Sequence, residues 1–163
     1  MVQYKIQLTQ GKYALVSRRD YYSLRRYKWY AERKLHTWYA KRKQTMTNGK
    51  QCHVWMHRVI LNLKRGDTRQ GDHRNGNGLD NRRCNLRIAT HAQNTYNSRK
   101  HRNTHNPYIG VFRNSTNSSW VAVIRHNKSP IYLGSFSDSI DAAKAYDKQA
   151  KKLRGKFAKL NFN

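Results

Sequence analysis

Asp72 and His73 stand side by side at the head of the block GDHRNGNGLDNRRCNLRIATHAQN, residues 71–94. Asn85 comes twelve residues after His73, and Asn94 nine after Asn85. One carboxylate, Asp72, with one amide oxygen, Asn94, suits a hard divalent cation such as Mg²⁺ or Mn²⁺ and leaves positions for phosphate and water. A histidine beside that pair can take a proton from water near neutral pH. Asn85 carries a side chain suited to pinning the loop that aims His73. Arg74, Arg82, Arg83 and Arg87 place positive charge where a phosphodiester backbone would lie. Taken singly these residues are ordinary: an Asp-His pair can be a surface ion pair, the asparagine of GLDN a turn residue and NGNG a loop. The joint spacing is what points to chemistry.

Such a set works only if a hairpin and a helix bring it together. Leu86 to Ala89 reads as a strand. Thr90 with Gln93 fits a capping box, so the spacing predicts a helix from there to about Lys100, with Asn94 one turn inside it and turned towards Asp72. Together these features resemble the HNH nuclease motif. The resemblance implies a ββα-metal (His-Me finger) fold with His73 as general base, Asp72 and Asn94 as metal ligands, and Asn85 as the structural middle asparagine. Many members end the motif in histidine; Asn94 matches a subgroup that ends in asparagine. His91 is a fallback ligand. The zinc-holding CxxC pairs of some members are absent, so no structural zinc is expected. The implied reaction is one-metal phosphodiester hydrolysis, with one cut per binding event and hence nicking unless two chains cooperate.

Residues before the block are rich in tyrosine and tryptophan. Gln3 to Leu8 alternates, Gly11-Lys12 reads as a turn, and Asp20 to Tyr27 gives one short helix. Thr37–Ala40 and Gln51–Trp55 read as strands around Asn48-Gly49, a strong hairpin signal. The aromatics read as the core of a small lobe, with the basic residues between them as a solvated face that also meets phosphate. Met56 to Leu63 reads as a short apolar helix.

After a linker at 101–107 come three expected strands, Tyr108–Arg113, Ser119–Arg125 and Ile131–Phe136, then a helix from Ser137 to Arg154. Ile140, Ala143, Tyr146, Ala150 and Leu153 make an apolar stripe, with Asp138 as N-cap and Gly155 as stop. The pieces Gly110-Val111, Trp120-Val121-Ala122, Leu133-Gly134-Ser135-Phe136, Ala145-Tyr146-Asp147 and Leu160-Asn161-Phe162 resemble the plant ethylene-response-factor (APETALA-type, ERF) DNA-binding domain. That resemblance implies a three-stranded antiparallel sheet on one helix, with the sheet in the major groove. Arg113, Arg125 and Lys128 are expected at DNA, mostly its backbone. Family members usually carry arginine where this chain has Ile109 and Phe112, so the plant target sequence is not carried over. Trp120, Tyr146 and Phe162 are expected in the core. An HNH block joined to such a domain is similar to homing endonucleases of phages and mobile elements.

The expected fold class is therefore α+β: an N-terminal β-rich lobe (1–55), the HNH core (56–100), the linker, and the ERF-like domain (108–163). The 163 residues carry 34 lysines and arginines against 8 acids, a formal charge of +26. Such a charge attracts polyanions, and double-stranded DNA is the expected partner; no membrane or protein partner is implied. No run of about 18 apolar residues exists, and the start has no signal-peptide pattern. Cys52 and Cys84 read as reduced thiols in a cytoplasmic protein. Two other readings compete with the nuclease. One is a non-catalytic DNA-binding regulator. The other is a basic RNA-binding protein, whose aromatics would have to be exposed for stacking.

Overall fold

The computed structural model describes residues 3–34, 37–96, 106–116, 118–127 and 129–162. The fold is α+β and divides into two compact units, Met1–Asn94 and Thr95–Asn163.

In the first unit β1 (Tyr4–Gln7) and β2 (Tyr13–Val16) form an antiparallel hairpin. Its turn takes Gln10 and Gly11 to positive φ. Helix α1 (Arg18–Leu24) follows. A meander of β3 (Tyr30–Lys34), β4 (Thr37–Thr45) and β5 (Gln51–Trp55) comes next. Gly49 makes the β4–β5 turn at φ +75°, a conformation open to glycine, and Asn48 Oδ1 accepts the Lys50 N–H. Helix α2 (Met56–Ile60) leads to β6 (Gln70–His73), which pairs antiparallel with β8 (Leu86–Ala89). Between them lies β7 (Asp80–Asn81), only two residues long. It leaves the β6–β8 pair and joins β2 in parallel, Leu15 opposite Asp80 and Val16 opposite Asn81. Helix α3 (His91–Tyr96) starts on the expected capping box: Gln93 Oε1 accepts the Thr90 N–H and Thr90 Oγ1 accepts the Gln93 N–H. One core gathers Ile6, Val16, Leu24, Trp29, Ala40, Met56, Ile60 and Leu86. The N-terminal strands and the segment from α2 to β8 therefore bury their apolar faces against each other.

In the second unit β9 (Val111–Arg113), β10 (Trp120–His126) and β11 (Ser129–Phe136) form an antiparallel sheet with β10 in the centre. Helix α4 (Ser139–Arg154) lies on it, and its alanines let it approach closely: Ala142, Ala143 and Ala150 are fully buried against Val111, Ala122 and Ile124. Asp147, buried on α4, accepts the backbone N–H groups of Asn161 and Phe162 and so ties the last residues to the helix.

Several expectations need correction. Strand β3 has no counterpart among the expected strands, because ERK at its end reads as solvated charge. Tyr13, Tyr22, Tyr27 and Tyr30 are exposed rather than core. Lys5 lies over the Tyr13 ring and Arg42 over the Tyr27 ring, so cations cover part of their faces. Strand β9 begins only at Val111, since Gly110 turns the chain at φ +72°. Ile140 leaves the apolar stripe and is 41% exposed, one turn before the sheet covers the helix. Phe162 is 39% exposed and packs its ring on Tyr108 instead of entering the core; Tyr146 is buried, and Trp120 is half-buried. Asp138 holds the N-cap position of α4 without a side-chain cap bond. Both cysteines are free thiols. Among the described residues no helix is long and apolar enough to cross a membrane.

Candidate active site

Strand alternation divides β6 into two faces, Gly71 and His73 on one and Gln70 and Asp72 on the other. His73 is buried among rings. Its centroid lies 5.2 Å from that of His57 on α2, edge-on, and 5.7 Å from that of Tyr39 on β4. Gly71 is needed there, because a Cβ would stand 2.6 Å from His57 Cδ2. Trp55 completes the wall, 5.9 Å from Tyr39. Burial pushes the His73 imidazole below its ordinary value, against the opposing pull of its bond to Asn81 and of the Asp72 and Asp80 charges. His57 is held down to about 3, by burial first and then by the His73 and Arg58 charges. Both rings are thus neutral near pH 7, and a neutral imidazole can accept a proton.

On the other face the buried Asp72 carboxylate accepts a 2.6 Å bond from Arg87 Nε, its cross-strand partner. Gln70, on the same strand face, reaches α3: its Oε1 accepts from Asn94 Nδ2 at 2.7 Å, and its Nε2 donates to His91 Nδ1 at 3.2 Å. Helix α3 is thereby tied to the strand face that carries Asp72. With Nδ2 engaged by Gln70, Asn94 Oδ1 is the atom that could hold a cation. A cavity of about 300 Å³ opens beside His57 and Gly71, lined also by Tyr39, Trp55, Gln70 and Asn94 with the cations Lys34 and Arg58; neither Asp72 nor His73 lines it. Burial raises the Tyr39 hydroxyl, helped by the Asp72 charge.

Among the described residues no three His, Cys, Asp or Glu side chains cluster as a metal cage. The donors that β6 and α3 offer are instead one carboxylate and one amide oxygen. That set fits a hard cation which draws its remaining ligands from phosphate and water, and it does not fit zinc.

The loop from 74 to 85 is closed by Asn85. Its Oδ1 accepts the Asn75 N–H at 3.0 Å, and its Nδ2 donates to Asn75 Oδ1 at 3.0 Å and to the Asp80 carbonyl at 2.7 Å. Its own carbonyl accepts the Arg74 N–H, and the His73 carbonyl accepts the Gly76 N–H. Both ends of the loop are therefore knotted next to His73.

The arginines divide by partner. Arg74 is exposed. Arg82 forks onto the buried Asp80, with both bonds at 2.7 Å, and holds that carboxyl below its usual range. Arg83 forks onto Asp20 of α1 at 2.7 and 2.8 Å. Arg87 holds Asp72. In the second unit Arg113 and Arg125 are exposed; Lys128 lies outside the described residues. Sequence reasoning missed Tyr39, His57, Gln70 and Asn81. Of these only His57, a lone imidazole opening an apolar helix, left a trace in the pattern.

Residues 54–96 match the HNH endonuclease family, and the chain carries an HNH endonuclease domain there. It is also similar to an uncharacterized HNH endonuclease of Acanthamoeba polyphaga mimivirus, 28% identical over 152 residues, 93% of this chain and 76% of that protein. An ethylene-responsive transcription factor of Arabidopsis thaliana is 43% identical over 60 residues, 36% of this chain and 33% of that one. A putative dehydration-responsive element-binding protein of the same plant is 45% identical over 56 residues, 33% of this chain and 35% of that protein. The chain spans about a third of the length of these plant relatives. No solved structure matches the chain.

Proposed function

We propose that the protein is a homing-type DNA endonuclease, dependent on a divalent metal, that nicks duplex DNA by hydrolysing a phosphodiester bond, with its second unit binding the duplex. The observation that carries this reading is the tie between α3 and β6: Gln70 holds Asn94 against the strand on which Asp72 and His73 are neighbours. His73, kept neutral by burial, takes the proton from a water that attacks phosphorus. Asn85 fixes the loop that would otherwise let this ring swing. Asp72, oriented by Arg87, and Asn94 would hold Mg²⁺ or Mn²⁺, which supplies neutralisation of charge on the phosphate. Arg74 on the first unit and Arg113 and Arg125 on the second meet the DNA backbone.

The names of the plant relatives favour a second reading, a non-catalytic regulator that binds DNA. Supercoiled plasmid separates the two. Wild type with Mg²⁺ is expected to convert it to the open-circular form, and EDTA or His73→Ala to stop the conversion. A wild type that never nicks, or nicking that survives in His73→Ala, removes the catalytic reading.

A further inference from the structure

We propose that Asn81 is the positioning residue of the base: it holds His73 in the tautomer with the proton on Nε2, so that Nδ1 carries the lone pair that takes the proton of water. This inference rests on the nuclease reading for its meaning in catalysis, but its geometry stands alone. Asn81 reads in the sequence as a turn residue of GLDN. In the fold it is 0% exposed and belongs to β7. Its side chain makes two bonds. Nδ2 donates to the Gly78 carbonyl at 3.4 Å, and Oδ1 meets His73 Nε2 at 3.2 Å.

The Gly78 carbonyl can only accept, so the amide must turn its NH₂ towards Gly78 and its oxygen towards the histidine. An amide oxygen can also only accept, so Nε2 must carry hydrogen. A neutral imidazole has one such hydrogen, and Nδ1 is then the basic nitrogen. The geometry cannot relax easily. Gly78 is wedged: a Cβ there would meet the Trp38 carbonyl and the Tyr39 ring, and its N–H donates to Thr37 Oγ1 at 3.0 Å. Asn81 itself is fixed by the ladder to Val16 of β2. The N-terminal hairpin thus orients the base through one amide.

The test uses the full-length chain labelled with ¹⁵N. Long-range ¹H–¹⁵N spectra of the imidazoles, with His73 assigned by its loss in His73→Gln, report the tautomer directly. The Nε2–H form is expected in wild type, and a mixture of forms in Asn81→Leu. Asn81→Asp keeps the acceptor and should keep the Nε2–H form. In single-site DNA cleavage Asn81→Leu should lower kcat by about 10–100-fold, the usual effect of removing a group that orients a histidine, with KM for DNA unchanged. Asn81→Asp should recover most of that loss. An Nδ1–H form in wild type overturns the proposal, as does an Asn81→Leu protein with unaltered tautomer and kcat. If Asn81→Leu does not fold, the wild-type and Asn81→Asp spectra still decide. A wild type that shows the Nε2–H form but never cuts DNA sinks the nuclease reading and leaves Asn81 in its role.

Discussion

Arg83 offers the sharpest separation between a residue that meets DNA and one that holds the fold. Sequence alone places its charge on the phosphate backbone. The structure gives it a forked bond to Asp20, with the arginine side chain 36% exposed and the aspartate 11%. Its backbone N–H also donates to Ser17 Oγ. Arg83→Ala would leave a nearly buried carboxylate without its cation. Exposed pairs are worth about 0–1 kcal/mol and breaking buried ones costs about 3–5, so this half-exposed pair should cost about 2 kcal/mol. For a unit of this size that is a fall in Tm of roughly 10 °C. Asp20→Asn should cost a similar amount, and the double variant should lose less than the sum of the two. Thermal unfolding reads the first effect. The second readout is DNA affinity against salt: a lost phosphate contact lowers the slope of log K on log salt by about 0.9, whereas a purely intramolecular pair leaves it unchanged. The reasoning is refuted if Arg83→Ala melts like wild type and loses a unit of salt slope.

The remaining expectations concern the same unit. His57 is held down to about 3 from an ordinary 6.5, so between those values the unfolded chain binds a proton that the folded one resists. Its contribution to stability is whole above pH 6.5 and is lost as pH falls towards 3, at up to about 1.4 kcal/mol per pH unit; urea unfolding from pH 7 to 4 should show a shallower fall in His57→Phe than in wild type. Asn85→Ala should remove three bonds, cost roughly 2–3 kcal/mol in urea unfolding and abolish nicking. Gly71→Ala should push its new methyl into His57 and Leu61, costing about 1–3 kcal/mol, and a crystal structure should show the His57 ring displaced.

What the sequence reveals here depends on how local the cause is. Helix α4 is legible because its stripe and Gly155 are neighbours in the chain, and the β4–β5 hairpin because Asn48-Gly49 leaves few alternatives. Asn85 bonds to Asn75 and to the Asp80 carbonyl, within its own loop. Partners chosen by the tertiary fold left no trace in the local pattern. No pattern near Arg83 points to Asp20, and none near Asn81 points to His73. Tyr13, Tyr22, Tyr27 and Tyr30 sit where alternation suggests a core, yet lysine and arginine stems cover some of their rings while the faces stay at the surface. Phe162 was misread because its segment is tied by backbone bonds to Asp147, which leaves the ring free to lie on Tyr108.

Strand β7 borrows its hydrogen-bonding neighbour from the start of the chain: Asp80 and Asn81 face Leu15 and Val16. The stretch that matches the HNH endonuclease family, 54–96, therefore lacks the strand that Asp80 and Asn81 pair with, and excising it strips that ladder from β7. Contacts so distant in sequence form late, because a long loop must close before they reward it. Supplying residues 1–34 as a separate peptide should restore amide-exchange protection to the 54–96 fragment, and a fragment already protected by itself would show that the hairpin is dispensable.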